Sequence, residues 1–133
     1  MKFAKVYGAQ TLFLTPHVVT IEADLSRGLH SFSIVGLPDK AVEESKDRVS
    51  AAIKHAGFKA PKSINRKITI SLAPADLKKE GPLFDLPIAL AYLLAAEEIS
   101  FDPEKILFVG ELSLDGSVRP VRGILPLAGE AKR

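Results

Sequence analysis

The sequence of 133 residues contains no cysteine, no tryptophan and a single methionine. The absence of cysteine excludes disulfide bonds, zinc sites built from thiolates and cysteine nucleophiles. No apolar run reaches the roughly 18 residues that a membrane-spanning helix needs, so no membrane partner is expected. The amino-terminal residues are not followed by the apolar core of a signal peptide, and a cytoplasmic location is therefore expected.

Histidine is also scarce, with only His17, His30 and His55 in the chain. The three lie far apart in sequence and show none of the close pairings that metal sites on one element use. We therefore expect no metal site, and we expect these histidines at the surface or at the edge of the core.

Acidic residues are missing from one long stretch, since no Asp or Glu lies between Asp47 and Asp76. A segment that carries only positive charge suits contact with phosphate or another acidic surface. The alternative is a solvated helix end and loop that keep the domain soluble. Arg119 and Arg122 form a second candidate patch. The candidate nucleic-acid-binding residues are Lys54, Lys59, Lys62, Arg66, Lys67, Arg119 and Arg122, and Arg48 lies in the same basic stretch.

Hydropathy patterns predict more strands than helices. Alternating and β-branched runs indicate strands at residues 2–10, 18–24, 30–35, 67–72 and 106–109, with a short hairpin around residues 114–117. The turn at residues 26–29 predicts that the strand at 30–35 returns along the one before it as a hairpin.

Three helices are expected. The first runs from near residue 39 to His55 with an apolar stripe at helical spacing, and Gly57 ends it. The second, at residues 86–96, is apolar on nearly every side and should be the central buried helix, with Asp85 as its cap. A third begins near Leu125, and the chain stops inside it, which indicates a fragment of a longer protein.

The order of these elements predicts the fold class. At 133 residues the chain suits one domain with a full core. Strands that outnumber helices, with a helix between some of them, favour a two-layer α+β fold. We expect a mixed β-sheet with helices packed on one face.

The segment at residues 78–87 lies between a predicted strand and the apolar helix, where a nucleophile would face the amide groups of a helix start. Its Lys79-Glu80-Gly81-Pro82 run resembles the Lys-Asp-Gly-Pro-Ser loop of the Lon protease domain, a member of the ribosomal-protein-like superfamily. Residues 110–123 resemble the Lon segment that leads to the catalytic lysine. By this resemblance the serine position falls on Leu83 and the lysine position on Leu125.

Both members of the dyad are therefore replaced by leucine. A shift of register does not restore the site, because no serine lies between Ser71 and Ser100 and no lysine between Lys105 and Lys132. A Ser-Lys peptidase remains only as a remote alternative that needs a nucleophile from elsewhere. The two leucines are expected to fill the space that the dyad would occupy.

The whole chain resembles the amino-terminal Lon-like domain of the ComM (YifB) family of magnesium-chelatase-like proteins. The resemblance rests on residues 4–9, 33–39, 42–45, 65–77 and 84–90. It implies an AAA+ ATPase module beyond residue 133, with ATP and Mg²⁺ as cofactors of the full-length protein. It also implies a hexameric ring that acts in DNA branch migration during competence, with DNA and the other subunits as partners.

The chain itself contains no Walker phosphate loop, because no Gly-x-x-x-x-Gly-Lys-Ser/Thr string occurs in it. No cofactor is therefore expected in this fragment. The leading hypothesis is a non-catalytic accessory domain that contributes DNA or subunit contacts. The alternative is a protein-interaction module for ring assembly or partner recruitment, with the apolar Pro82, Leu83 and Phe84 as its contact edge.

Overall fold

The structure, a computed structural model, describes residues 2–63 and 65–120. One mixed four-stranded sheet in the order β1-β2-β4-β3 carries helices on one face, which confirms the predicted α+β class. The elements are β1 Lys2–Leu12, β2 Thr15–Arg27, β3 Ser31–Val35, α1 Lys40–Glu43, α2 Ser45–His55, β4 Arg66–Ala73 and α3 Asp85–Ala95, with 3-10 turns at Pro61–Ser63 and Pro82–Phe84.

Strand pairing differs from the prediction in one respect. The hairpin in this sheet joins β1 to β2, whereas β3 pairs in parallel with β4 on the far side of β2. The predicted hairpin between β2 and β3 is therefore wrong. The true hairpin turn consists of Phe13 and Leu14, both at positive φ. Neither is a residue type that marks such a turn, so the sequence gives no signal for it.

Alternation along the strands decides which face of the sheet is covered. In β4 the buried residues Ile68, Ile70 and Leu72 lie under the helices, and their neighbours Lys67 and Thr69 lie on the other face, where Lys67 is exposed. The same period of two holds along the central part of β2. Within the described part of the chain, the sheet is therefore covered on one face only.

Helix α3 is the central helix, as predicted, and it packs between the sheet and α2. Its buried residues include Ile88, Ala91 and Tyr92. Among residues 2–63 and 65–120, no helix is long and apolar enough to cross a membrane. The predicted capping role of Asp85 is wrong, because its side chain makes no cap bond and points into the core instead.

The predicted helix at residues 39–55 is confirmed in position but is divided into α1 and α2 at Glu44. Asp39 caps α1, since its carboxylate accepts a hydrogen bond of 2.8 Å from the Val42 amide. Just before it, Gly36 has a φ of 111° and lies so close to β4 that an added Cβ would be 2.1 Å from the Leu72 carbonyl oxygen. Only glycine fits there.

The segment after α3 is less regular than predicted. Residues 106–109 form no strand beyond one parallel pair between Leu107 and Tyr7. The predicted hairpin turn is present, because Leu112 pairs with Val118 and the Ser113 amide donates to the Ser117 carbonyl. The predicted last helix near Leu125 lies outside the described residues.

Candidate functional site

The loop between β4 and α3 is held by buried polar contacts from distant parts of the chain. The Gln10 side chain donates 2.7 Å to the Lys78 carbonyl and accepts 2.9 Å from the Glu80 amide. Asp39 accepts 3.1 Å from the Gly81 amide. Gly81 has a φ of 83°, which favours glycine. The framework seen in the sequence is thus a fixed structural loop.

Lys79 is fully buried in this loop, although it is a lysine. Its ammonium donates to the Pro74 carbonyl, and its backbone bonds to Leu37 and Asp39. Burial lowers the pKa of Lys79 from 10.5, while the nearby Asp76 carboxylate acts in the opposite direction. A buried amine of lowered pKa is the kind of base that a Ser-Lys dyad uses.

No nucleophile accompanies that amine in the described part of the chain. Leu83 is half-buried in the 3-10 turn, and its carbonyl accepts 2.9 Å from the Gly110 amide. Phe84 is fully buried, so it belongs to the core and not to an exposed contact edge. Leu125 lies outside the described residues, and its predicted role stays a prediction. Within residues 2–63 and 65–120, no serine hydroxyl bonds to a lysine or a histidine.

Asp85 is the most highly bonded side chain near the loop, and it is fully buried. It accepts 2.5 Å from Ser45 Oγ, 2.7 Å from Arg48 Nε and 3.0 Å from the Leu112 amide. The hydrogen bond to Asp85 raises the pKa of Arg48, although burial opposes this. The arrangement is a buried ion pair that joins α2, α3 and the segment after Gly110. The charge of Arg48 is thus paired with that of Asp85, although Arg48 lies in the basic stretch that the sequence predicts to contact phosphate.

A second concentration of polar groups lies at one end of the sheet. Arg27 and Arg66 stand directly opposite each other as the last pair of β2 and β4, and Lys67 faces Ser26. Lys2 stands opposite Leu25 on the neighbouring strand. By strand alternation Lys2, Arg27 and Arg66 all extend from the helix-covered side of the sheet. We call Lys2, Arg27, Arg66 and Lys67 the basic sheet end.

Two open hollows of about 490 Å³ each lie against the basic sheet end, and Arg27 and Arg66 line both. Within the described residues neither arginine has an ion pair, and the buried Nη1 of Arg66 has no hydrogen-bond acceptor. Lys2 forms an exposed pair of 3.6 Å with Glu97. Like charges in opposite positions of a sheet repel each other, so this pairing favours an anion between the two arginines.

The other predicted bases are not brought to this cluster by the sheet. Lys54 lies in the last turn of α2 and Lys62 lies in the first 3-10 turn, and both are exposed, as is Lys59. Arg119 lies 3.6 Å from Glu111, which neutralises it in part. Arg122 lies outside the described residues. Reasoning from the sequence found Arg66 and Lys67 but missed Lys2 and Arg27, because only strand register places them together.

No group of three or more His, Asp or Glu residues that could hold a metal ion occurs among the residues described. A nucleoside triphosphate does not fit the loop before α3 either. The Gly81 amide, which would face a phosphate at such a helix start, is bonded to the Asp39 carboxylate. A second anion at that position would meet a negative charge.

The fold and the loop define an α+β domain in which a fixed loop, with Leu83 in its 3-10 turn, precedes the central helix. The family described as subunit ChlI of Mg-chelatase matches residues 21–133, and the chain belongs to that family.

Individual relatives agree with this assignment. Competence protein ComM of Haemophilus influenzae is 45% identical over 127 residues, which cover 95% of this chain and 24% of the relative. Protein YifB of Salmonella typhimurium is 44% identical over 134 aligned residues, covering 100% of this chain and 26% of the relative. YifB of Escherichia coli is 42% identical over 132 residues, which cover 98% of this chain and 26% of the relative. The chain thus spans about a quarter of the length of these curated relatives.

Proposed function

We propose that this chain is a non-catalytic accessory domain of a Mg-chelatase-like AAA+ ATPase and that its basic sheet end binds the phosphate backbone of DNA. The single observation that carries the proposal is the opposition of Arg27 and Arg66 beside open hollows, without an acidic partner in the described residues. Guanidinium groups bind phosphate oxygens through paired N–H donors. Phosphate contacts of this kind carry affinity but no sequence preference.

Family membership supports this proposal and extends it to the full-length protein. The relative from Haemophilus influenzae is named a competence protein, and we propose a role in DNA handling for the full-length protein that contains this chain. ATP and Mg²⁺ are proposed to bind outside this chain, since the chain has no Walker string. A homo-hexameric ring engaged in branch migration and a cytoplasmic location are part of the same proposal.

The test is DNA binding measured by fluorescence anisotropy over a range of salt concentrations. Arg27→Glu with Arg66→Glu should weaken binding to a duplex by about tenfold or more. The slope of log K against log salt should fall by about two, because roughly one counterion is released for each phosphate contact. Lys5→Glu with Lys40→Glu carries the same change in net charge on exposed residues elsewhere and should retain more affinity.

The outcome also separates the basic sheet end from the other predicted bases. If Lys59→Glu with Lys62→Glu reduces affinity and the two arginine substitutions do not, DNA contacts the loop before β4 and the proposed site is wrong. Equal affinity and equal salt slope in all variants would show that none of the substituted residues contacts DNA, and a natural chain with no measurable affinity would exclude DNA binding by this domain. The protein-interaction alternative for the domain would then be preferred.

A further inference from the structure

The turn between β1 and β2 presents two large apolar side chains to solvent. Phe13 is 100% exposed and Leu14 is 83% exposed. Leu12 and Thr15 are the last paired residues, so the turn consists of these two residues alone. We call Phe13 and Leu14 the apolar tip. Among residues 2–63 and 65–120, no other segment covers it.

The backbone of the apolar tip is strained for the residues that occupy it. Phe13 has a φ of 50° and Leu14 a φ of 65°. A two-residue hairpin turn with both φ values positive favours Asn-Gly, and bulky side chains at such angles are outliers. Strained residues persist in proteins chiefly at sites of function. The tip therefore combines unfavourable backbone geometry with unfavourable exposure of apolar surface, and a contact to another molecule accounts for both.

The charge pattern around the tip favours a protein surface over a nucleic acid. No Lys, Arg, Asp or Glu occurs between Lys5 and Glu22. A DNA contact needs cationic side chains beside it to neutralise phosphates, and the hairpin that carries the tip supplies no lysine or arginine between Lys5 and Glu22. Its partner should be an uncharged apolar hollow.

The same chain carries a hollow of that kind on its helical side. A cavity of about 110 Å³ lies between α2 and α3, and all its lining residues are apolar or glycine. Ala56 is exposed at its rim, and Phe58 and Leu90 are partly exposed in its wall. A closed cavity of about 150 Å³ takes up benzene, so an open one of this size suits a single leucine or phenyl group. We call this cavity the apolar socket.

We propose that the apolar tip of one copy of this chain inserts into the apolar socket of a second copy. Each copy has one tip and one socket, so the contact is head-to-tail and repeats around a ring or along a filament. It uses neither the basic sheet end nor DNA, and it stands independently of the function proposed above.

Cross-linking tests the contact directly, because the natural chain has no cysteine and each introduced thiol is unique. A Leu14→Cys chain mixed with an Ala56→Cys chain should form a disulfide-linked heterodimer under oxidation at high protein concentration. Adding Phe13→Asn to the first chain should reduce the yield at least fivefold. Leu29→Cys, which is 87% exposed in another turn, is the matched control and should give only background with Ala56→Cys.

Two results would overturn the proposal. A Leu14→Cys chain that cross-links to itself as readily as to Ala56→Cys would show that two tips meet. An Ala56→Cys thiol that does not react with a maleimide in the monomer would show that the socket is already closed in the single chain.

A variant that improves the turn separates contact from folding. Phe13→Asn with Leu14→Gly supplies the favoured turn residues, so thermal stability should rise. Self-association measured by analytical ultracentrifugation should nevertheless be lost. Equal association in this variant and the natural chain would contradict the proposal even though both fold.

Discussion

Asp85 shows how one buried carboxylate holds three segments of this domain together. It bonds to Ser45 and Arg48 of α2 and to the Leu112 amide, and it is itself the first residue of α3. A buried ion pair adds modest net stability, but removal of one partner leaves the other charge uncompensated. Asp85 is thus important for the integrity of the fold rather than for catalysis.

Substitution of Asp85 by alanine should destabilise the domain strongly. We expect a loss of about 3 to 5 kcal/mol in the free energy of unfolding, because Arg48 is left without its partner. Urea denaturation followed by circular dichroism measures it. Asp102→Ala, at an exposed aspartate that bonds only within its own loop, is the control and should unfold near the natural midpoint. A loss below about 1 kcal/mol for Asp85→Ala would contradict this account.

Lys79 should make stability depend on pH. Its pKa is lowered in the folded chain by burial, relative to 10.5 when unfolded. Between these two values the unfolded chain holds a proton that the folded chain has released, so stability rises with pH in that window.

The slope is at most about 1.4 kcal/mol per pH unit for one proton. Lys79→Met keeps the side-chain length and should abolish the rise, when urea unfolding is compared over a series of pH values below 10.5. Burial raises the pKa of Tyr92 above its ordinary value of 10.0. Tyr92 therefore makes stability fall as pH rises, but only above pH 10.0. An equal rise in the variant would assign the effect to other groups.

At the scale of elements, the loop between β4 and α3 and the start of α1 are one unit. Asp39 caps α1 with one carboxylate oxygen and binds the Gly81 amide with the other. The Lys79 amide donates to the Leu37 carbonyl, and the Asp39 amide donates to the Lys79 carbonyl. The loop between β4 and α3 is therefore a structural part of the fold, because it and the start of α1 hold each other in place.

Replacement of Asp39 tests this coupling. Asp39→Ala should cost about 1 to 2 kcal/mol of unfolding free energy, since both the cap and the bond to the loop are lost. Asp39→Asn retains one acceptor oxygen for the cap but turns an NH2 group toward the Gly81 amide, so it should lose less than Asp39→Ala but should not match the natural chain. Equal losses in thermal denaturation of the two variants would show that the bond to the Gly81 amide, and not the cap, carries the stability.

At the scale of the whole molecule, the absence of a nucleophile in the loop predicts no hydrolase chemistry. A fluorophosphonate probe reacts with activated serines, and we expect no labelling of Ser71 or Ser113, neither of which bonds to a basic side chain in the described residues. Mass spectrometry of the intact chain measures this. Stoichiometric labelling of either serine would revive the peptidase alternative. A denatured sample provides the background.

Predictions from the sequence succeeded where the signal is local. Three local patterns predict which side chains are buried, and the structure confirms each of them. They are the period of two in β4, the apolar run of α3 and the helical stripe that includes Val49 and Ile53. They failed where the outcome depends on distant partners. An aspartate just before an apolar helix is typical of a helix cap. The Asp85 carboxylate instead accepts hydrogen bonds from Ser45 and Arg48 in the core. The Phe13–Leu14 turn carries no turn signal at all, so the sequence does not predict the hairpin of β1 and β2 and predicts one between β2 and β3 instead.

The sequence by itself determined the α+β class, the central helix and the family, because each is encoded in local pattern or residue type. Tertiary structure alone decided the strand order β1-β2-β4-β3, the pairing of Arg27 with Arg66 and the exposure of the apolar tip. These depend on register between segments far apart in the chain. Residues 39 positions apart, as Arg27 and Arg66 are, become neighbours only when the strands between them have paired.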